Sequence, residues 1–442
     1  MAFFGMRGSG DFAANQRPEN WDQTIMREFP NGDAPLTALM SMFGKDTTND
    51  PVFHWWTKRV PEQGGAVTNI YIDAGLGTAY VYGTHQAAIG ISGGTIYVKV
   101  AEVLAKEFRA GHDVVLRDTD QYDVDVAGEV TSVVYNGANS YMSIKLDEAD
   151  DNANDSTTYN LSTVDRVMVI GNSNAESGAI PRAIGYSPVE YSNYTRIFRT
   201  PLEISRTAKK TFLRTGPAYQ EAKKDALQMH SIEREKALIF SVLASTTGAN
   251  GKPKRKFDGV RSFIRKNATT ADSRTAAGSM NDFRLRTDYS GDTWIDKGED
   301  WIEEQLEYLS TYAPSDMIGF CGAGTITGLT KLAKINGNIQ FTPGPNQTYG
   351  MTFTTWLNAQ GTTIHLKKHP LMAREASTKN SMLILAPKNV KMTTLDPTQY
   401  LTDRAAKGTD GDVEEFLTEE GPKFFFPDQF MWLDGIGKDN NL

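Results

Sequence analysis

Apolar and polar residues alternate over short distances between about residues 66 and 178. Val67-Thr-Asn-Ile-Tyr-Ile72 and Thr95-Ile-Tyr-Val-Lys-Val100 alternate or cluster β-branched and aromatic residues, the composition of a half-buried strand. A short helix-like piece follows near Val103 to Phe108, and Gly111 then opens a run of short strands. These are Asp113–Arg117, Gly128–Val134, Tyr141–Leu146 and Asp165–Ile170. Asn136-Gly137 and the polar stretch Asp147 to Thr158 supply turn signals between them. Four or so short strands at this spacing predict a small barrel or sandwich, a module at about 92–178 inserted in a larger domain.

The period then changes. Thr195 to Ile204 reads as a strand that hands over to a polar turn, and a long helix follows over 217–245. Pro217 suits its first turn, where a missing N–H is harmless. Ala222, Ala226, Met229, Ala237, Phe240 and Ala244 recur at one- or two-turn steps, with Glu221, Lys224, Glu233, Arg234 and Lys236 on the polar faces. Thr246-Thr-Gly248 is the expected stop. An acidic amphipathic helix is predicted over Gly298–Leu309, a strand over Met317–Phe320 and a helix from about Gly324 to Ala333. Strands at Met351–Trp356, Thr362–Lys367 and Met382–Ala386 complete a compact α/β region, and the tail from Glu414 has β character. The first sixty residues read as an arm. Gly, Asn, Asp and Pro recur there between short apolar patches and the aromatic Phe53-His-Trp-Trp56, which need another surface to pack against, in the same chain or a neighbour.

Composition narrows the function. At 442 residues the chain has room for roughly three domain-sized units. The net charge of −8 argues against a protein whose main task is gripping nucleic acid, which needs a basic excess. One cysteine, Cys321, excludes an intrachain disulfide framework. The first twenty residues lack the apolar core of a secretory signal, and no apolar run approaches the ~20 residues of a membrane helix, so a soluble protein made in a cytoplasm is expected.

Catalytic sets are mostly missing. His365 and His369 are four apart, but in a strand running into a turn and without the intervening acid of a zinc motif. Gly319-Phe-Cys-Gly-Ala-Gly-Thr-Ile-Thr-Gly328 lies between strand and helix, yet lacks the ending of a phosphate loop and the spacing of a dinucleotide fingerprint. Cys321 in that loop reads either as a nucleophile or as a small apolar filler. No cofactor or metal is expected. A basic cluster (Lys252, Lys254, Arg255, Lys256, then Arg261, Arg265 and Lys266) has three readings: it faces enclosed DNA, it pairs with an acidic neighbouring subunit, or it is a solvated loop.

The order of elements resembles the major capsid proteins of tailed bacteriophages. Tyr191-Ser-Asn-Tyr-Thr-Arg-Ile-Phe-Arg-Thr-Pro-Leu-Glu-Ile-Ser-Arg-Thr-Ala208 is similar to the segment preceding the spine helix in the SU-ten-like branch of the Hong Kong 97-type fold. Glu221–His230 and Glu233–Phe240 resemble that spine helix, and Thr362–Leu371 and Ser381–Ala386 resemble late strands of its axial domain. Arg196 stands where the family pattern often has glutamine. The resemblance implies an α+β fold with an N-terminal arm (1–62), an extended loop region (63–200) carrying the β-module, and a peripheral domain (201–300) with the spine helix. It further implies an axial domain (301–395) and a C-terminal return (396–442).

It implies a structural protein, not an enzyme: a homo-oligomer of hexamers and pentamers in the virion, enclosing double-stranded DNA without reading its sequence. Portal, scaffold and decoration proteins are its expected partners, and no membrane is. Candidate assembly residues are Trp55, Trp56, Arg196, Arg199, Glu221, Lys224, Glu233, Lys254, Arg255 and Lys256. Three alternatives stand beside this reading: an encapsulin-like bacterial compartment shell of the same fold, a tail or decoration protein, which should lack a long spine helix, and, more remotely, a hydrolase using Cys321.

Overall fold

A computed structural model describes residues 34–442 apart from 43, 121–123, 151–159, 175, 177–179, 214–215, 271–272, 337–340, 349–350 and 358–360. The first 33 residues of the expected arm therefore lie outside the described residues, as does much of the polar stretch Asp147 to Thr158. The chain divides into two units, one of residues 58–189 and one of the residues to Thr57 together with Glu190–Leu442.

The unit of residues 58–189 is a closed six-stranded barrel. Around it run Gly64–Tyr71, Thr95–Val100, Tyr141–Leu146, Asp125–Val134, His112–Arg117 and Arg166–Asn172. Alternation puts Ile96, Val98, Val100, Val114, Leu116, Val126, Val130, Met142 and Ile144 inside, all essentially inaccessible. The first strand closes the barrel because it pairs with Thr95–Val100 on one side and with Arg166–Asn172 on the other. The barrel thus begins at residue 64, well before the module edge expected near 92. At Gly128 the wall is too close for a side chain, since a Cβ there would stand 2.7 Å from Ile144 Cγ2 and from Lys145 O.

The larger unit holds two main sheets. In the first, of four strands, the order is Lys45–Thr47, Val390–Leu401, Gly411–Phe424 and Arg196–Ser205. Arg196–Ser205 is an edge strand ten residues long, and Pro201 in its middle offers no N–H to a passing strand. The second sheet has seven strands in the order Met280–Asp282, Met431–Asp434, Met382–Leu385, Asp316–Cys321, Thr363–Lys368, Met351–Leu357 and Phe341–Thr348. Helices Trp294–Tyr312 and Ala323–Asn336 belong to its core, where Trp294, Trp301, Leu306, Leu329 and Ile364 are buried together.

The long helix is Ala218–Phe240, 23 residues and about 35 Å. It ends five residues before the expected 245. Residues Ala244–Thr247 are instead a strand, paired antiparallel with Pro253–Lys256 in a hairpin. The stop comes from distant residues: Gly259 N donates to Ser241 O (2.8 Å) and Leu243 N to Asp258 Oδ1 (3.2 Å). Among the described residues no helix is long and apolar enough to cross a membrane.

Candidate assembly surface

The strand Gly411–Phe424 carries five acids: Asp412, Glu414, Glu415, Glu419 and Glu420. Successive residues of a strand point to opposite faces, so Glu414, Phe416, Thr418 and Glu420 share the face on which the long helix lies. Arg234 of that helix grips Glu420 with both prongs, Nε to Oε1 at 2.6 Å and Nη2 to Oε2 at 2.8 Å. His230 bridges the sheet, its Nδ1 2.9 Å from Thr200 Oγ1 and its Nε2 2.8 Å from Thr418 Oγ1. Tyr219 Oη donates to Glu414 Oε2 at 2.7 Å, and Tyr400 Oη donates to the same oxygen. The apolar share of this contact is small, with Leu202, Ala226 and Phe416 at its centre. Toward its N-terminus the helix is thus positioned by directed polar bonds, which set its rotation on the sheet, while Ala237, Leu238 and Ile239 near its C-terminus enter the large apolar core with Phe198, Met392 and Phe424 of the same sheet.

Burial sets the electrostatics. The imidazole of His230 is 1% exposed, and burial, with Arg234⁺ nearby, pushes its pKa down to about 4. The hydrogen bond to Glu414, followed by burial, pushes Tyr219 up to about 12. On the opposite face of the strand, Glu415 takes both prongs of Arg199 at 2.8 and 2.7 Å, which holds its carboxyl below the usual range.

A second polar knot lies on the other side of the long helix. Glu235 is fully buried and accepts from Leu36 N (2.7 Å), Thr37 N (2.7 Å) and Thr37 Oγ1 (2.6 Å). Its Oε1 is also 2.8 Å from His369 Nε2. The first two donors are N-terminal amides of helix Pro35–Met42, which that helix cannot satisfy itself. A carboxylate from a residue about 200 positions away therefore caps the N-terminal helix, while Leu36, Leu39 and Met40 fill the adjoining core.

The ten candidate residues fall in different places. Trp55 points inward: it is 5% exposed, and its Nε1 donates to Phe424 O at 3.0 Å. Trp56, on the other face of Val52–Thr57, is 59% exposed. Arg199 is committed to Glu415. Glu221 sits half-buried in the first turn of the long helix, where its charge suits the helix dipole, and Lys224 is exposed. Glu233 is exposed, its Oε2 3.5 Å from Thr200 Oγ1.

Arg196, Lys254, Arg255 and Lys256 come together. The hairpin strand Pro253–Lys256 and the start of Arg196–Ser205 border a cleft of about 420 Å³ lined by all four, with Lys252 and Glu419. The Arg196 guanidinium lies 4.9 Å from the Phe198 ring centroid, with Ser241 Oγ at 3.4 Å from its Nη1. Burial lowers its pKa, the sign of a cation incompletely compensated by its own chain.

The residues weighed for chemistry turn inward. Cys321 is fully buried, and burial pushes its thiol up to about 12, so the thiolate is suppressed. His369 is spent on Glu235. Neither Glu235 nor Glu420 was picked out by sequence reasoning. For Glu235 the one available signal was an acid among the apolar helix residues Ala237, Leu238 and Ile239, whereas Glu420, on a strand, offered none.

A family model described as SU10 major capsid protein matches residues 8–437. The chain is 22% identical over 376 residues to a protein named major capsid protein from Pseudomonas phage PaMx41, covering 84% of this chain and 78% of that one. A solved chain from Mycobacterium phage Adephagia aligns over 93% of this chain and 90% of its own, at 8% identity and a TM-score of 0.40. A chain of the SrpI encapsulin complex of Synechococcus elongatus aligns over 58% of this chain and 78% of its own, at 12% identity and a TM-score of 0.35.

Proposed function

The chain belongs to the SU10 major capsid protein family and forms the capsid shell of a phage, and from that premise we propose that it does so as a Hong Kong 97-type subunit. In this reading copies meet as pentamers and hexamers and close an icosahedral head around double-stranded DNA. The observation that carries it is the family match across residues 8–437, which includes the long helix, both sheets and the barrel. The four-stranded sheet with its long helix is the peripheral domain, the seven-stranded sheet with its two helices the axial domain, and the barrel the module borne on the extended loop.

The physical character of the parts supports this. A subunit that transmits position through a shell needs a rigid spine, and the long helix, fixed to its sheet by polar bonds and by the apolar core around Ala237, Leu238 and Ile239, suits that part. A shell built from many modest contacts gains its strength from multiplicity. Trp56, Lys224 and the basic hairpin are exposed groups suited to such contacts. The subunit has no catalytic role in this reading: the family is structural, and the weighed nucleophile Cys321 is buried with a suppressed thiolate. DNA is enclosed by a chain of net charge −8 and is not gripped by sequence. Portal, scaffold and decoration proteins are the partners such a shell would meet, and assembly takes place in the host cytoplasm.

Sizing chromatography with light scattering tests the capsomer step. Species of five or six subunits, or particles of many, are expected. A strict dimer at every concentration would refute the proposal.

A further inference from the structure

The cleft beside the basic hairpin has unspent charge. Lys252, Lys254, Arg255 and Lys256 have no ion pair or side-chain hydrogen-bond partner among the described residues, and Arg196 has Ser241, the Phe198 ring and the nearby charge of Glu233. The one acid in the wall, Glu419, is engaged by Thr195 Oγ1 at 2.6 Å. Four cations without an ion pair therefore share the cleft with a single carboxylate, Glu419.

The same chain carries the complement. Helix Trp294–Tyr312 buries Trp294, Trp301, Ile302, Leu306 and Leu309, and turns Asp296, Asp300, Glu303 and Glu307 outward. Lys297 answers Asp300 at 2.9 Å, but Glu303 and Glu307 have no cation among the described residues. The crowding of like charge shows at Glu299, whose carboxyl is raised by burial and by Glu303 and Asp300.

The spacings agree as well as the signs. Lys254 and Lys256 are two apart on a strand, on one face and roughly 6.6 Å from each other along it. Glu303 and Glu307 are four apart on a helix, on one face and about 6 Å from each other. Two lysines and two glutamates can therefore pair simultaneously.

We propose that the hairpin cleft of one copy receives the acidic face of helix Trp294–Tyr312 from a second copy, with Lys254 and Lys256 meeting Glu303 and Glu307. This rests on the shell reading and names one of its contacts. Because the two surfaces differ, the contact is head-to-tail, the kind that closes into rings. Enclosed DNA is the competing anion. A phosphate backbone is best met by an extended basic stripe, whereas this patch is a single cleft with a carboxylate in its wall.

The test is a charge swap in the full chain. Lys254→Glu/Lys256→Glu is made alone, Glu303→Lys/Glu307→Lys alone, and the four substitutions together. All four side chains are exposed, and circular dichroism checks that each variant folds. Light scattering then gives the protein concentration at half-assembly, and nuclease-resistant DNA is measured in the particles.

Either pair alone should raise that concentration about tenfold or more, and the four together should return it to within about twofold of the unaltered chain. Unchanged assembly after the lysine reversal would overturn the pairing. So would two impaired pairs whose combination restores nothing. If lysine reversal spares assembly but lowers retained DNA, the cleft faces phosphate and the proposal falls. Failure of the unaltered chain to assemble both alone and with a co-expressed scaffold would overturn the shell reading itself, and this contact with it.

Discussion

Replacing Glu235 by alanine should loosen the N-terminal helix from the long helix and weaken the larger unit as a whole. The carboxylate accepts from two main-chain amides and one hydroxyl at 2.6–2.7 Å and faces His369 Nε2 at 2.8 Å, all out of water. A hydrogen bond to a charged group is worth roughly 1.5–3 kcal/mol, and stranding a buried donor costs a further 1–3. These terms do not add fully, because the freed amides regain water if the helix frays. Undocking is itself resisted by Leu36, Leu39 and Met40, which are at most 2% exposed. A loss of about 3–5 kcal/mol is expected for Glu235→Ala. Glu235→Gln keeps the volume and one acceptor oxygen, and should lose roughly half as much.

The assay has a built-in control. All seven tryptophans lie outside residues 58–189, so urea unfolding followed by tryptophan fluorescence reports the larger unit, and circular dichroism adds the barrel. On unassembled protein the fluorescence midpoint should fall with little change in slope, while the barrel transition stays where it was. A loss below about 1 kcal/mol for alanine, or an equal shift in both transitions, would refute the assigned role.

Other expectations follow from the same geometry. Arg234→Ala leaves Glu420 buried without its partner and should cost roughly 3–5 kcal/mol in the same assay, whereas Arg199→Ala removes a side chain 61% exposed and leaves Glu415 with Arg404 at 3.7 Å, and should cost about 1 or less. His230 has a native pKa of about 4 against 6.5 unfolded. The unfolded state therefore takes the proton first as pH falls, and stability present above pH 6.5 is lost down to about pH 4. The full loss is roughly 3 kcal/mol, to be read as the difference between the parent and His230→Gln in urea titrations across that range. Cys321 should resist a thiol reagent at pH 8 in the folded protein and react within minutes in denaturant. Rapid labelling of the folded form would show that the loop opens.

The helix over 218–240 was legible because Pro217 and the alanine spacing are local signals. Its end was not, since Ser241–Leu243 contain no breaker and the stop is imposed by Asp258 and Gly259. All six barrel strands could be read from alternation, but closure through Gly64–Tyr71 could not, because long-range pairing leaves no period in the chain. Strand Val390–Leu401 escaped notice: Asp396-Pro397 reads as a turn, and the strand accommodates it with register shifts on either side. The motif that carried the resemblance proves structural at its Asn193. Fully buried, its side chain bonds the main chain of Asp258 and Pro422. Among the candidate surface residues, the exposed lysines of the hairpin could be suspected from their clustering. The inward turn of Trp55 depended on strand register, and the Glu235 knot on partners 134 and about 200 residues away.

The central claim, that many copies of this chain build a closed shell, is tested most directly by electron microscopy of the purified protein. Hollow particles of uniform diameter with five-fold and six-fold clusters on their surface are predicted. Fields of small, discrete dimers or monomers, unchanged with concentration and in the presence of a co-expressed scaffold, would contradict it.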